Sequence, residues 1–174
     1  MPSQTDNGSR PVWLAAYTKA RHEKKADREL QKKGIESYLP LVKRHRQWKD
    51  RKKWVWMPLF RSYVFVRIPL TRTLDVLETY GIHHLVRFQN RYAEIPEDQI
   101  ESVKRMLEGG YVPDSHDYFD VGNEVEVIAG PLKGVRGVLS RKDGSSRFVL
   151  RIDGIRQAIS LRIDASMLKA VGKP

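Results

Sequence analysis

An α+β architecture in two unlike parts follows from three features of the sequence. Residues 12–109 mix short apolar runs with helical periodicity, and a stretch rich in Gly, Pro, Asp and Ser interrupts the pattern at 110–118. From 119 onward the chain is a series of short β-branched runs separated by turn dipeptides. Residues 1–11, polar with a single Arg, are expected to be a disordered tail and not a signal peptide.

In the first part, the apolar run 12–17 reads as a strand, and 21–33 as a helix closed by Gly34. A strand over 35–42 leads into the basic stretch 43–53, expected to be an extended hairpin or loop. Next come a strand over 62–68, a short helix over 73–80 ended by Gly81, and a strand over 84–88. The last helix opens with Pro96 at its first position and Glu97 and Asp98 in its first turn, where acidic groups suit the helix dipole, and stops at Gly109. Its Ile100, Val103 and Leu107 make an apolar stripe. The order β-α-β-β-α-β plus a helix is that of a ferredoxin-like split βαβ. In the second part, about five strands in some 55 residues suggest a small barrel, with turns at Gly130-Pro131, Asp143-Gly144 and Asp153-Gly154.

Charge narrows the function. The 174 residues carry 32 Lys and Arg against 21 Asp and Glu, a net +11 that favours a polyanionic partner. Of this excess, +9 lies in 12–109, −2 in the tail and linker, and +4 in 119–174. There is no cysteine, which excludes disulfides, thiolate metal sites and a Cys nucleophile and fits a reducing cytoplasm. No run approaches the roughly 18 apolar residues of a membrane span. The five histidines show no metal-ligand spacing, and His83 and His84, adjacent in a strand, are expected to point to opposite faces. Neither a phosphate-binding glycine loop nor a nucleophile elbow occurs, so no catalytic residue, cofactor or metal is assigned. A non-enzymatic monomer is expected.

Two basic constellations stand out. Arg21, Lys24, Lys25, Arg28 and Lys32 fall within about 100° of the first helix, opposite Ala26 and Leu30. A solvated surface helix explains that ridge alone equally well. Beside it, Lys43, Arg44, Arg46, Lys49, Arg51, Lys52 and Lys53 crowd into eleven residues with Trp48 and Trp54 interleaved. That mixture of cations and stacking rings suits nucleic-acid backbones and unstacked bases. An aromatic set also emerges: Tyr63 and Phe65 share one strand face, and Trp13 and Tyr17 share one parity. With Leu59 and Phe60 they form either a partner surface or plain core, and pattern alone slightly favours core.

With these residues in place the chain resembles the NusG family, and within it specialised antiterminators of the RfaH and UpxY kind. The anchors are Trp13-Leu14-Ala15-Ala16-Tyr17, residues 19–24, Tyr38-Leu39-Pro40, the run 58–66, residues 81–88 ahead of Ile95-Pro96, and the run 121–134, which resembles a KOW motif. The resemblance implies an NGN domain that binds RNA polymerase and a C-terminal SH3-like KOW barrel that recruits other factors. It assigns Trp13, Tyr17, Leu59, Phe60, Tyr63 and Phe65 to an apolar pocket for the clamp helices of the largest polymerase subunit. Arg72 and Thr73 would touch the other large subunit, although Arg72 stands where the motif has His. Lys19, Arg21 and Arg87 match the region facing the non-template DNA strand; Lys24, Lys25, Arg28, Arg46, Trp48, Lys49, Arg51 and Lys52 would extend that contact to DNA or nascent RNA. Ile155 and Arg156 sit where the barrel meets its partner, a ribosomal protein or Rho; Asp153 in place of an aromatic there disfavours Rho. Two rivals remain at this point. An RRM-like RNA-binding module is suggested by 61–68, which partly fits the RNP1 pattern. A ribosome-associated KOW protein is the other.

Overall fold

A computed structural model describes residues 8–116, 118, 122–142 and 145–172. Most of the expected tail, Val121 and the Asp143-Gly144 turn lie outside the described residues. The chain divides into two compact units, residues 1–97 and 98–174.

In the first unit, β1 (Val12–Thr18) is the centre of a five-stranded antiparallel sheet. It pairs with β5 (Tyr63–Ile68) on one side and β6 (Ile82–Leu85) on the other, while β2 (Glu36–Tyr38) flanks β5 and the short β9 (Glu94–Ile95) also pairs with β1. Two further ribbons stand apart: β3 (Leu41–Gln47) with β4 (Lys52–Pro58), and β7 (Arg87–Phe88) with β8 (Arg91–Tyr92). Helix α1 (Glu23–Lys32) buries Ala26 and Leu30 against Leu14, Ala16, Val64, Val66 and Ile68 of the sheet, and α2 (Thr73–Leu77) adds Val76. The alternation of β5 therefore divides as its sequence predicts, with the aliphatic side chains beneath the helices. Gly34, at φ +68, ends α1 in the left-handed turn that a side chain adopts only with strain.

Four expectations are corrected here. Helix α1 starts at Glu23, so Arg21 precedes it, held at φ +61. The strand expected over 35–42 breaks at Leu39-Pro40 into β2 and β3, since Pro40 has no N–H to continue a ladder. Residues 52–58 form a full strand that the density of Lys and Trp had concealed. His83 and His84 do not point apart. Tyr17 pairs with His84 and Thr18 with Ile82, leaving His83 as the extra residue of a β-bulge that brings the two Nδ1 atoms to 2.8 Å.

In the second unit, α3 (Glu97–Glu108) turns Ile100, Val103 and Met106 inward, with Met106 replacing the expected Leu107. The strands β10 (Asp114–His116), β11 (Asn123–Val127), β12 (Arg136–Lys142), β13 (Ser145–Ile152), β14 (Gln157–Leu161) and β15 (Leu168–Ala170) form one antiparallel sheet. Its order is β10-β14-β13-β12-β11-β15. Strand β10 falls inside the segment read as a linker and pairs with β14. At Gly137 a Cβ would lie 2.5 Å from the Val149 carbonyl oxygen and 2.7 Å from the Phe148 ring, so only glycine lets β12 approach β13 there.

Candidate nucleic-acid interface

The β3–β4 ribbon carries the densest array of functional side chains. Its four-residue connection, Trp48 to Arg51, is closed by the Trp48 N–H donating to the Arg51 carbonyl at 2.9 Å. Residues directly opposite each other in an antiparallel pair share a face. One face therefore carries Lys43 opposite Trp56, His45 opposite Trp54, and Gln47 opposite Lys52. The other carries Val42 opposite Met57, Arg44 opposite Val55, and Arg46 opposite Lys53. The ribbon thus has a side with two tryptophans, two lysines and a histidine, and another that mixes Arg44, Arg46 and Lys53 with aliphatic side chains.

Trp54 and Trp56 are 58% and 55% exposed. At two residues' separation their backbone positions are about 6.8 Å apart along the strand, on the same face. His45 meets Trp54 edge to face at 4.8 Å, and the Lys43 ammonium lies 5.8 Å from the Trp54 ring. Trp48, also exposed, has the Arg46 guanidinium 5.8 Å from its ring. Lys49 and Arg51 occupy the exposed tip with Trp48. Sequence reasoning found Trp48, Lys49, Arg51, Lys52, Arg46 and Trp54 but missed Trp56, although the Trp54-Val55-Trp56 alternation was the available signal.

The ridge on α1 is present, with Lys24, Lys25, Arg28 and Lys32 exposed. It is joined to the ribbon by the Lys24 ammonium, which donates to the Trp56 carbonyl at 2.7 Å. Lys25 and Lys19 converge on Tyr80, at 4.2 and 5.7 Å from its ring. Arg87, on the separate β7–β8 ribbon, stacks its guanidinium over Tyr92 at 4.4 Å and donates to the Tyr92 hydroxyl at 2.7 Å.

The aromatic pocket does not lie open as expected. Trp13 is only 4% exposed and Phe65 0%, with Leu59 and Phe60 also buried. The rings close on one another: Phe60 meets Phe65 edge to face at 5.7 Å, and Tyr38 stacks on Phe65 at 6.4 Å. Opposite Phe65 stands Ala15, whose small side chain leaves the ring room. Tyr17 and Tyr63, which meet edge to face at 5.3 Å, stay half-buried, and burial raises the Tyr63 hydroxyl above its ordinary pKa. The physical reason is area: large rings facing water forfeit about 25 cal/mol for each Å² left uncovered. Tyr17 also stacks on His84 at 5.0 Å, and burial, followed by the neighbouring His83, holds the His84 imidazole below its usual pKa.

Helix α2 presents what the sequence did not reveal, an exposed apolar pair Leu74 and Leu77 beside Tyr80 and Arg72. Arg72 is paired with Asp75 at 2.8 Å, and the Thr73 hydroxyl donates to the Leu70 carbonyl at 3.2 Å. In the second unit Ile155 is buried in the turn Asp153–Ile155, which corrects its assignment to a partner surface; the apolar side chain turns inward while Arg156, at φ +51, stays exposed. The Asp153 carboxylate accepts from Tyr118 at 2.8 Å and from Gln99 at 2.9 Å, and the Gln99 side chain accepts the Asp153 N–H at 3.2 Å. The hydrogen bond to that carboxylate raises the Tyr118 hydroxyl above its ordinary pKa. Among the described residues no group of three or more acidic or His side chains could hold a metal, and no helix is long and apolar enough to cross a membrane.

Comparison with known proteins fits this geometry. Residues 11–104 match the family model described as NusG, transcription termination factor nusG. Among solved structures, one described as domain interaction in Thermotoga maritima NusG is similar over 94% of this chain and 98% of its own, with 19% identity and a TM-score of 0.51. Two conformations of an MjSpt4:Spt5 complex align at 18% identity and a TM-score of 0.30, conformation B covering 93% of this chain and 98% of that one, conformation A 94% and 100%. The family match spans more than half of the 174 residues and the NusG structure shares the fold, so this chain belongs to the NusG family of transcription factors.

Proposed function

We propose that this protein is a NusG-type elongation factor that binds RNA polymerase, touches the unwound nucleic acid and suppresses pausing and termination at particular operons. The family match over residues 11–104 carries this reading, and the two-faced basic ribbon supports its nucleic-acid part. The first unit meets polymerase and nucleic acid, and residues 119–174 recruit a further factor, with Arg156 as the exposed contact. Engagement of Asp153 by Tyr118 and Gln99 further disfavours Rho, because the carboxylate stands where an aromatic anchor would be needed.

The polymerase contact has two parts. Tyr17 and Tyr63 are accessible at the border of the aromatic face, whereas a clamp helix reaches Trp13, Phe60 and Phe65 only after they are uncovered. The α2 ledge of Arg72, Leu74 and Leu77 supplies a second, apolar contact that is open already. Contact on both sides of the polymerase cleft stabilises the closed clamp, a population shift that needs no chemistry and disfavours the paused state.

Single-round transcription with purified bacterial polymerase tests the proposal. Added protein should shorten pauses and raise terminator read-through, and Leu74→Asp/Leu77→Asp should abolish both. Unchanged pausing and read-through would refute it.

A further inference from the structure

Between the start of α1 and the root of the β3–β4 ribbon lies an open cleft of about 380 Å³. Four cations line it, Arg21, Lys24, Arg46 and Arg61, with Glu23 as the one carboxylate and Trp56 at its border. Glu23 is buried, and its Oε1 accepts the Ser62 N–H at 2.8 Å, so much of its capacity is spent inside the fold. Lys24 is held across the cleft by its bond to the Trp56 carbonyl. Among the described residues Arg21, Arg46 and Arg61 take part in no ion pair. Four like charges converging on one concavity repel each other until an anion enters.

The backbone is arranged to hold them there. Arg21 at φ +61 and Ser62 at φ +63 both adopt the left-handed conformation without being glycine. Such strain persists only where surrounding contacts fix it. Here Glu23 provides the fixing bond, tying the residue next to Arg61 to the first turn of α1, two residues after Arg21. The backbone segments that carry Arg21 and Arg61 are therefore fixed relative to each other at the cleft.

We propose that this cleft seats a nucleoside phosphate, with the guanidinium forks of Arg21, Arg46 and Arg61 on the phosphate oxygens and Lys24 as a point charge. Planar guanidinium groups match the phosphate bidentately, and the volume admits more than the phosphate alone. The inference deepens the nucleic-acid reading given above: the phosphate belongs to a strand whose bases reach the ribbon, or to a free nucleotide.

Fluorescence anisotropy with the full chain separates these sources. The probes are a labelled single-stranded DNA and an RNA of the same sequence, with ATP as the free nucleotide. Replacing the cleft pair, Arg21→Gln/Arg61→Gln, should weaken strand binding on the order of tenfold at low salt and flatten the salt slope by about 0.7 per lost phosphate contact. The charge-preserving pair Arg21→Lys/Arg61→Lys should restore the slope but only part of the affinity. A hairpin-tip variant, Lys49→Gln/Arg51→Gln, serves as the control. If the tip variant weakens binding and the cleft variant matches the wild type, the seat is refuted while the nucleic-acid reading stands. If the wild type binds neither strand, that reading fails and ATP decides: binding lost in the cleft variant supports a free-nucleotide seat, and no binding overturns it.

Discussion

Two sets of aromatic rings within one unit meet opposite fates. Trp13, Phe60 and Phe65 lie on or beside a five-stranded sheet and are closed off, while Trp54 and Trp56 lie on a two-stranded ribbon and stand in solvent. The ring chemistry is the same, so the difference lies in what surrounds it. Phe65 has Ala15 opposite, Tyr38 beside it and Phe60 against its edge. Trp54 and Trp56 face lysine and histidine across the ribbon, and a two-stranded ribbon has no second layer with which to bury them. An aromatic residue in a multi-stranded sheet contributes stability; one on an isolated basic ribbon is available for a ligand.

Truncation is the most direct way to break this contrast. Phe65→Ala should cost about 3–5 kcal/mol in a urea melt, as large-to-small changes at full burial do. Trp54→Ala should stay within about 0.5 kcal/mol, the range of exposed substitutions. Comparable losses at both positions would erase the distinction. Binding sharpens it: Trp54→Ala/Trp56→Ala should lower single-strand affinity roughly a hundredfold, at about 1–3 kcal/mol per stacked base, with the melt unchanged. Wild-type affinity in that variant, read by anisotropy, would leave the ribbon with charge alone.

Smaller effects follow from the groups around the two regions. Glu23→Ala removes the acceptor of the half-buried Ser62 N–H and should cost about 1 kcal/mol. Full stability in that variant would show the left-handed turns hold without it. The smallest effect concerns His84, which stacks on Tyr17 at the border of the buried rings. Its folded-state pKa is lowered, so the unfolded chain binds its proton more readily. Stability is therefore unaffected by this group above about pH 6.5, the ordinary histidine value, and declines as the pH falls below it. His84→Asn should make the melting temperature less sensitive between pH 7 and pH 5, and an unchanged profile would remove His84 from the account.

The sequence revealed local features more fully than their consequences. Gly34 and Gly109 as stops and the two-sided alternation of β5 are short-range signals with structural counterparts, and the last helix begins at Glu97, one residue after the expected Pro96. The order and spacing of the motifs were enough to indicate the family. The burial of Trp13 and Phe65 was not legible, because alternation separates the faces of a strand without saying what covers either. Strand β4 was obscured for a related reason, since Lys52, Lys53, Trp54 and Trp56 resemble a solvated loop until their partners in β3 are known. The meeting of His83 and His84 depends on a bulge, a property of pairing between strands and not of either strand alone. The basic cleft needed the fold itself, because Arg21, Arg46 and Arg61 are far apart along the chain.

The pairing of β3 with β4 also constrains how this ribbon can change over generations. With the connection kept at four residues, inserting one residue between Trp48 and Arg51 would shift the return strand by a single step and send its tryptophans to the arginine side. Inserting two would restore the sidedness and lengthen the arm by about one residue on each strand. Length variation in the paired arm should therefore come in even increments, with odd changes tolerated where a longer connection or a compensating bulge absorbs the extra residue.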